Sequence, residues 1–253
     1  MQGEAQRDAY DRAAELWKKS RFPIAFTGAG VSVASGIPDF RSPGGLWSKY
    51  DPMKVATAEA LQTDPHAVWE FLLETADLLL SCQPNAAHTT LAKLEQHHGL
   101  GGVITQNVDN LHQRAGSIEV VEFHGNFERF YCQKCEKQED RARVQEKASR
   151  AIPPWCDTCS SFIRPDVVFF GEAIPAYALQ KTQELVRKAD LMLIAGTSGE
   201  VAPANTIPRE VKMKGGHIIE VNKGMTSFQD ITDVRFDGPV EEIFPKFIEY
   251  LTE

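Results

Sequence analysis

Apolar positions along this chain follow two alternating rhythms. Residues 4–20 carry Ala9, Ala13, Leu16 and Trp17 on one face at helical spacing. A short apolar run at 24–26 follows and reads as a strand buried on both faces. From 43 to 83 the helical rhythm returns through Val68, Trp69, Phe71, Leu72, Leu73, Leu78, Leu79 and Leu80, predicting a helical excursion. Pro84 and Asn85 predict the cap of a helix over 86–97 that ends at Gly99. Strands are expected at 102–105, 120–123, 167–170, 191–195 and 217–221. Helices are expected over 176–188, 205–214 (with Pro208 in its first turn or kinking it) and 240–251. Apolar strands that alternate with helices predict an α/β fold, a mainly parallel Rossmann-like sheet with helices on both faces.

Composition narrows this. The chain has 253 residues, 42% of them hydrophobic, which suits one well-buried unit with a small insert. The net charge of −8 gives no reason to expect nucleic-acid binding by the whole surface, and it favours a basic partner segment such as a lysine-bearing tail. No apolar run approaches the ~20 residues of a membrane helix. The N-terminus is polar and lacks a signal-peptide core, so a cytoplasmic location is expected. A monomer is expected as well.

The chemically rich residues fall at the ends of the expected strands. Gly28-Ala29-Gly30-Val31-Ser32 follows the first strand, and its glycines leave backbone N–H groups open to a phosphate or form a tight turn with no ligand. Ser35-Gly36-Ile37-Pro38-Asp39-Phe40-Arg41 then concentrates a carboxylate, an aromatic and a guanidinium. After the strand at 102–105 come Gln106, Asn107 and Asp109, suited to ribose hydroxyls and a carboxamide, or to an Asx-rich turn. His124 follows the strand at 120–123 and is placed as a general base would be. Gly196-Thr197-Ser198 and Asn222 end two more strands.

Of five cysteines, Cys132 and Cys135 form one C-x-x-C pair and Cys156 and Cys159 another, twenty residues on. That is the spacing of a tetrahedral four-thiolate Zn2+ site, and four sulfurs leave no open position, so the metal is expected to be structural. Basic and acidic residues nearly balance across 127–164, so this segment has no basic stripe for nucleic acid.

The run G-A-G-x-S-x-x-S-G-I-P-D-F-R at 28–41 resembles the opening motif of the sirtuins, NAD-dependent protein deacylases. Five further motifs follow in that family's order: T-Q-N-V-D-N-L-H at 105–112, E-F-H-G at 122–125, the double C-x-x-C, R-P-D-V-V-F-F-G-E at 164–172, and G-T-S with the strand-end Asn222. The resemblance spans residues 24–250. It implies NAD as a consumed reactant, an acyl-lysine protein or peptide as partner, and transfer of the acyl group to ADP-ribose with release of nicotinamide. His124 would be the base, with Asn107 and Asp109 on the nicotinamide carboxamide and Gln106 on its ribose. Gly28, Ala29, Gly30, Ser32, Asp39, Phe40, Arg41, Gly196, Thr197, Ser198 and Asn222 would complete the cofactor site. Val168, Phe170, Gly171 and Glu172 would wall the acyl-lysine tunnel. The implied division is a Rossmann-like unit of 1–45, 84–126 and 164–253, with inserts 46–83 and 127–163 forming a small zinc-ribbon and helical lobe.

Two departures stand out. An apolar residue usually follows G-T-S in that family, whereas this chain has Gly199 and Glu200. Trp69-Glu70-Phe71 is followed by Leu72, Leu73, Glu74 and Thr75, without the Tyr and Arg that accompany acidic acyl groups, so acetyl or a longer apolar acyl group is expected. Protein ADP-ribosylation remains an alternative, as does a zinc-ribbon binding module. A dehydrogenase would need Asp51 at the end of a buried strand, which Leu46-Trp47-Ser48-Lys49-Tyr50 does not resemble.

Overall fold

A computed structural model describes residues 2–39 and 45–252, with side chains from residue 6. The helices are α1 Gln2–Lys19, α2 Pro52–Val55, α3 Ala58–Thr63, α4 Pro65–Ser81, α5 Ala86–His97, α6 Leu111–Arg114, α7 Arg141–Ala148, α8 Ala176–Lys188, α9 Ile207–Met213 and α10 Val240–Thr252. The strands are β1 Pro23–Thr27, β2 Val103–Thr105, β3 Val120–Glu122, β4 Gly125–Cys132, β5 Gln138–Glu139, β6 Ile163–Val167, β7 Leu191–Ala195, β8 His217–Asn222 and β9 Val234–Asp237. No helix among the described residues is long and apolar enough to cross a membrane.

Six strands form a parallel sheet in the order β3-β2-β1-β7-β8-β9. Without the three strands of the second sheet this is the doubly wound order, reversing direction at β1. Side chains alternate across each strand. Ala25 therefore joins a core with Trp17, Leu91 and Phe244, while Ile24 and Phe26 join one on the opposite face with Leu185, Ile207 and Phe228. Burial on both faces is why these strands read as unbroken apolar runs.

The second sheet is antiparallel, in the order β5-β4-β6. Its apolar side shares a core with α2–α4 and α7: Val68, Trp69 and Leu72 pack with Phe130 and Ile163 of the sheet and Val144 of α7. The indole N–H of Trp69 donates to the Ile163 carbonyl at 3.0 Å.

The structure departs from the sequence expectations at two strands. The strand expected at 167–170 lies at 163–167, on the edge of the small sheet, because its partner is β4 and not a strand of the main sheet. Only Phe170 continues it, as a single bridge to Thr57. The sixth main-sheet strand, β9, was not expected, since only Val234 and Phe236 mark it as apolar. The segment after β1 is a 3-10 helix at Ala29–Ser35.

Candidate functional site

Thr27, Thr105 and Glu122 are paired across β1, β2 and β3, and Thr27 is level with Ala195 of β7. The residues that follow these strand ends therefore converge on one edge of the sheet. Gly30 packs directly on Gly196, where a Cβ would come within 2.7 Å of the Gly196 Cα. That packing uses the amides that the sequence offered to a phosphate. Gly28 N–H donates to the Ala195 carbonyl at 3.1 Å, and Gly30 N–H to the Gly196 carbonyl at 2.8 Å. The glycines therefore allow close approach of two strand ends.

Beside this junction lies a chain of polar side chains. The Ser32 hydroxyl donates to Asp109 Oδ2 at 2.6 Å and accepts from Asn107 Nδ2 at 3.1 Å. Asn107 Nδ2 also reaches the Gly28 carbonyl at 3.1 Å. Leu111 N–H donates to the other Asp109 oxygen at 3.0 Å. Burial pushes the Asp109 carboxyl up, against the lowering effect of Ser32 and the Leu111 amide. Gln106 Nε2 donates to Thr197 Oγ1 at 3.0 Å, joining the ends of β2 and β7.

Two histidines lie behind these groups. Asn85 N–H donates to His88 Nδ1 at 3.3 Å in a capping box, which leaves His88 Nε2 to donate to Ser32 Oγ at 3.4 Å. His112 Nε2 lies 2.9 Å from Thr27 Oγ1, and the two imidazoles are 4.9 Å apart. Burial pushes His88 down to about 4 and His112 well below its ordinary value. Both are neutral and structural at physiological pH.

His124 is half-buried at the end of β3, and its Nδ1 meets the Gln106 carbonyl at 3.1 Å. A carbonyl can only accept, so Nδ1 carries the hydrogen and Nε2 keeps a lone pair. Burial lowers its pKa below the ordinary value, opposed by the Gln106 bond. The side chain is a neutral imidazole able to take a proton.

Past His124, Val168 N–H donates to the His124 carbonyl at 2.9 Å, and Phe170 N–H to the Ala56 carbonyl at 2.8 Å. Val168 is half-buried, while Phe170 and Gly171 are exposed. Glu172 grips the fully buried Arg164 through both oxygens, at 2.5 and 2.8 Å, and accepts from Phe169 N–H at 2.9 Å. Its carboxylate therefore shapes this turn. Gly199 has φ +76°, and a Cβ there would lie 2.6 Å from the Phe228 ring. A side chain at 199 would therefore collide with both Ser227 Oγ and the Phe228 ring. Asn222 is half-buried at the end of β8. Asp39 is described through its carbonyl, which accepts from Leu46 N–H at 2.9 Å. Phe40 and Arg41 lie outside the described residues.

All four paired cysteines place their sulfurs within 4.8 Å of one another. Cys132 and Cys159 are 3.3 Å apart, and Cys135 and Cys156 3.7 Å. Four sulfurs ~2.3 Å from one zinc ion stand ~3.8 Å apart, so the cluster fits Zn2+ with modest adjustment. Thr158 N–H points at Cys156 Sγ at 3.4 Å, a donor suited to a thiolate.

A family model described as "Sir2 family" matches residues 28–203. The chain is 46% identical over 239 residues to a protein of Thermococcus kodakarensis named NAD-dependent protein deacylase, covering 93% of both. The chain belongs to the Sir2 family. A second relative of this Sir2 chain, named NAD-dependent protein deacetylase and from Sulfurisphaera tokodaii, is 45% identical, with 95% of both chains covered. Among solved structures, a Sir2 protein with a deacetylated p53 peptide and 3′-O-acetyl ADP-ribose superposes with TM-score 0.90 at 40% identity, covering 94% of this chain and 96% of that one. Another, described as Sir2 with p53 peptide and NAD+, gives TM-score 0.87 at 39% identity, covering 94% and 96%.

Family membership removes the zinc-ribbon module as a separate reading. Asp51, the one residue spaced for a dehydrogenase, caps α2 through the Met53 amide and ends no strand. Thr27 and Arg164 carry no local signal of these roles, whereas Asn85 is the expected helix cap.

Proposed function

We propose that this chain is an NAD-dependent protein lysine deacylase, transferring the acyl group of a modified lysine to ADP-ribose and releasing nicotinamide. The observation that carries this reading is the neutral His124, its Nε2 without a hydrogen-bond partner among the described residues, on the same sheet edge as the Ser32–Asn107–Asp109 chain. The carboxamide, carboxylate and hydroxyl groups gathered there match the ribose and carboxamide groups of NAD. Bound NAD supplies a ribose carbon activated by the departure of nicotinamide.

In this reading Asn107 and Asp109 orient the carboxamide, and Ser32 fixes both through its hydroxyl. Gln106 faces the nicotinamide ribose. Gly196, Thr197 and Ser198 line the ribose and phosphate path, with Gly28, Ala29 and Gly30 as its floor. Asn222 takes the adenosine ribose. Asp39, Phe40 and Arg41 complete the cofactor site by resemblance, with Phe40 in the role of excluding water and Arg41 in that of meeting phosphate. His124 Nε2 accepts the proton of a ribose hydroxyl. Val168, Phe170 and Gly171 flank the acyl-lysine, and Glu172 holds their turn. Cys132, Cys135, Cys156 and Cys159 bind one structural Zn2+.

We read the chain as two lobes, with 46–83 and 127–163 forming the smaller; the core shared by Trp69, Phe130 and Ile163 supports this. We further propose a cytoplasmic monomer acting on basic peptide segments, in keeping with the net charge of −8. The test is nicotinamide release from NAD with acetyl, butyryl, myristoyl and succinyl lysine peptides. Release that needs an acetyl or longer apolar peptide supports the reading. Release without any peptide overturns it in favour of hydrolysis or ADP-ribosylation.

A further inference from the structure

Glu220 is fully buried in β8, two residues before Asn222, and none of the groups assigned above uses it. A carboxylate inside a sheet is costly unless donors meet it. Here they do, and both hydroxyl donors come from one loop, residues 223–233. Thr226 Oγ1 donates to Oε1 at 2.5 Å, and Thr232 Oγ1 to Oε2 at 2.9 Å. Arg235 of β9 adds a cation, its Nε 3.9 Å from Oε2. The Thr226 hydroxyl also accepts from Phe228 N–H at 3.3 Å, so one side chain fixes both the loop's attachment and its turn.

The residue between those two points reaches the dinucleotide edge. Ser227 N–H donates to the Ser198 carbonyl at 2.9 Å, and Ser227 Oγ to the Gly199 carbonyl at 2.7 Å. Phe228, fully buried and 6.4 Å edge-on from Phe26, fills the space beside Gly199. The connection is therefore continuous: Glu220 holds Thr226, Thr226 turns the loop, and Ser227 holds the Ser198–Gly199 backbone. Asn222 lies on the same strand as Glu220, so the loop's anchor and a proposed ribose contact share one rigid element.

We propose that Glu220 is a positioning residue for the ADP-ribose part of NAD, acting through Thr226 and Ser227 on the Ser198–Gly199 wall. The proposal rests on the reading of Ser198 and Asn222 as dinucleotide contacts. It makes the loop, not Gly196-Thr197-Ser198 alone, a determinant of NAD affinity. A carboxylate with charge-assisted hydrogen bonds suits this task better than an apolar filler, which would bury as well but leave the loop untethered.

Thr226→Val removes the donor to Glu220 and the acceptor for Phe228 N–H, and Thr226→Ser keeps both. ADP-ribose affinity by calorimetry, and KM for NAD and kcat with an acetyl-lysine peptide, would be measured on zinc-replete protein with thermal melting as a fold control. Thr226→Val should weaken ADP-ribose binding about tenfold and raise KM for NAD to match, with the loss in KM rather than kcat. Thr226→Ser should restore it. Should Thr226→Val fail to fold, Ser227→Ala removes the single hydroxyl that donates to the Gly199 carbonyl and should weaken ADP-ribose binding about threefold. A folded variant of either kind that binds ADP-ribose as tightly as the unchanged chain overturns the proposal. Failure of the unchanged chain to bind ADP-ribose at all would overturn the dinucleotide reading beneath it instead, and the positioning role with it.

Discussion

His124 Nδ1 and the Gln106 carbonyl oxygen are 3.1 Å apart, and that contact decides which imidazole nitrogen can act. The hydrogen sits on Nδ1, so Nε2 is the base. Because burial lowers the His124 pKa below 6.5, the base is already unprotonated at neutral pH. The acid limb of kcat/KM should therefore centre below pH 6.5, with a plateau above; a limb centred above 6.5 would be inconsistent with this environment. His124→Ala should cut turnover by about 10²–10⁴-fold while leaving ADP-ribose affinity nearly unchanged, since the base acts after binding. Near-normal turnover would remove His124 from the role.

The buried imidazoles make stability depend on pH. His88 is held down to about 4, against 6.5 when unfolded, and burial holds His112 well below 6.5 as well. Between those values the unfolded chain binds more protons, so stability rises with pH and is lost as pH falls below 6.5. For His88 the loss levels off near pH 4 and amounts to about 3 kcal/mol. Asp109 works the other way: its raised pKa costs stability at neutral pH, and the cost is relieved on acidification. Melting temperatures measured from pH 7 to 4 should fall steadily, and less steeply in His88→Gln. Equal slopes would show that His88 is not titrating between the two states.

Gly199→Leu would place an apolar residue after Gly196-Thr197-Ser198. At φ +76° with the Phe228 ring alongside, it should destabilise by about 2 kcal/mol or more and weaken peptide and NAD binding together. A variant as stable as the parent would mean that the loop can repack around it.

The cysteine cluster predicts that Cys132→Ser loses bound zinc and lowers the melting temperature, because an open tetrahedral site forfeits much of its folding energy. Strong chelators should do the same to the unchanged chain. Zinc content and melting that survive the substitution would argue against a structural metal.

Much of this was legible in the chain. Strands such as Ile24–Phe26, buried on both faces, announce themselves as apolar runs, and the double C-x-x-C fixes its own geometry. The engagement of the Gly28 and Gly30 amides was not legible, because it depends on Gly196 of another strand arriving alongside. Nor was β9, whose burial comes from pairing with β8 rather than from its own pattern. Arg164 reads as a surface cation by type, and its burial depends on partners brought together by the fold: the Glu172 carboxylate, the Val167 carbonyl and the Gln133 amide oxygen. Long-range partners of this kind leave little local signal.

The most direct test of the proposed chemistry is a mass balance on one acetyl-lysine peptide incubated with NAD and zinc-replete protein. Mass spectrometry should find acetyl-ADP-ribose, nicotinamide and free lysine peptide in equal amounts. Nicotinamide released while the peptide keeps its acetyl group, or acetyl recovered only as free acetate from the outset, would contradict acyl transfer to ADP-ribose.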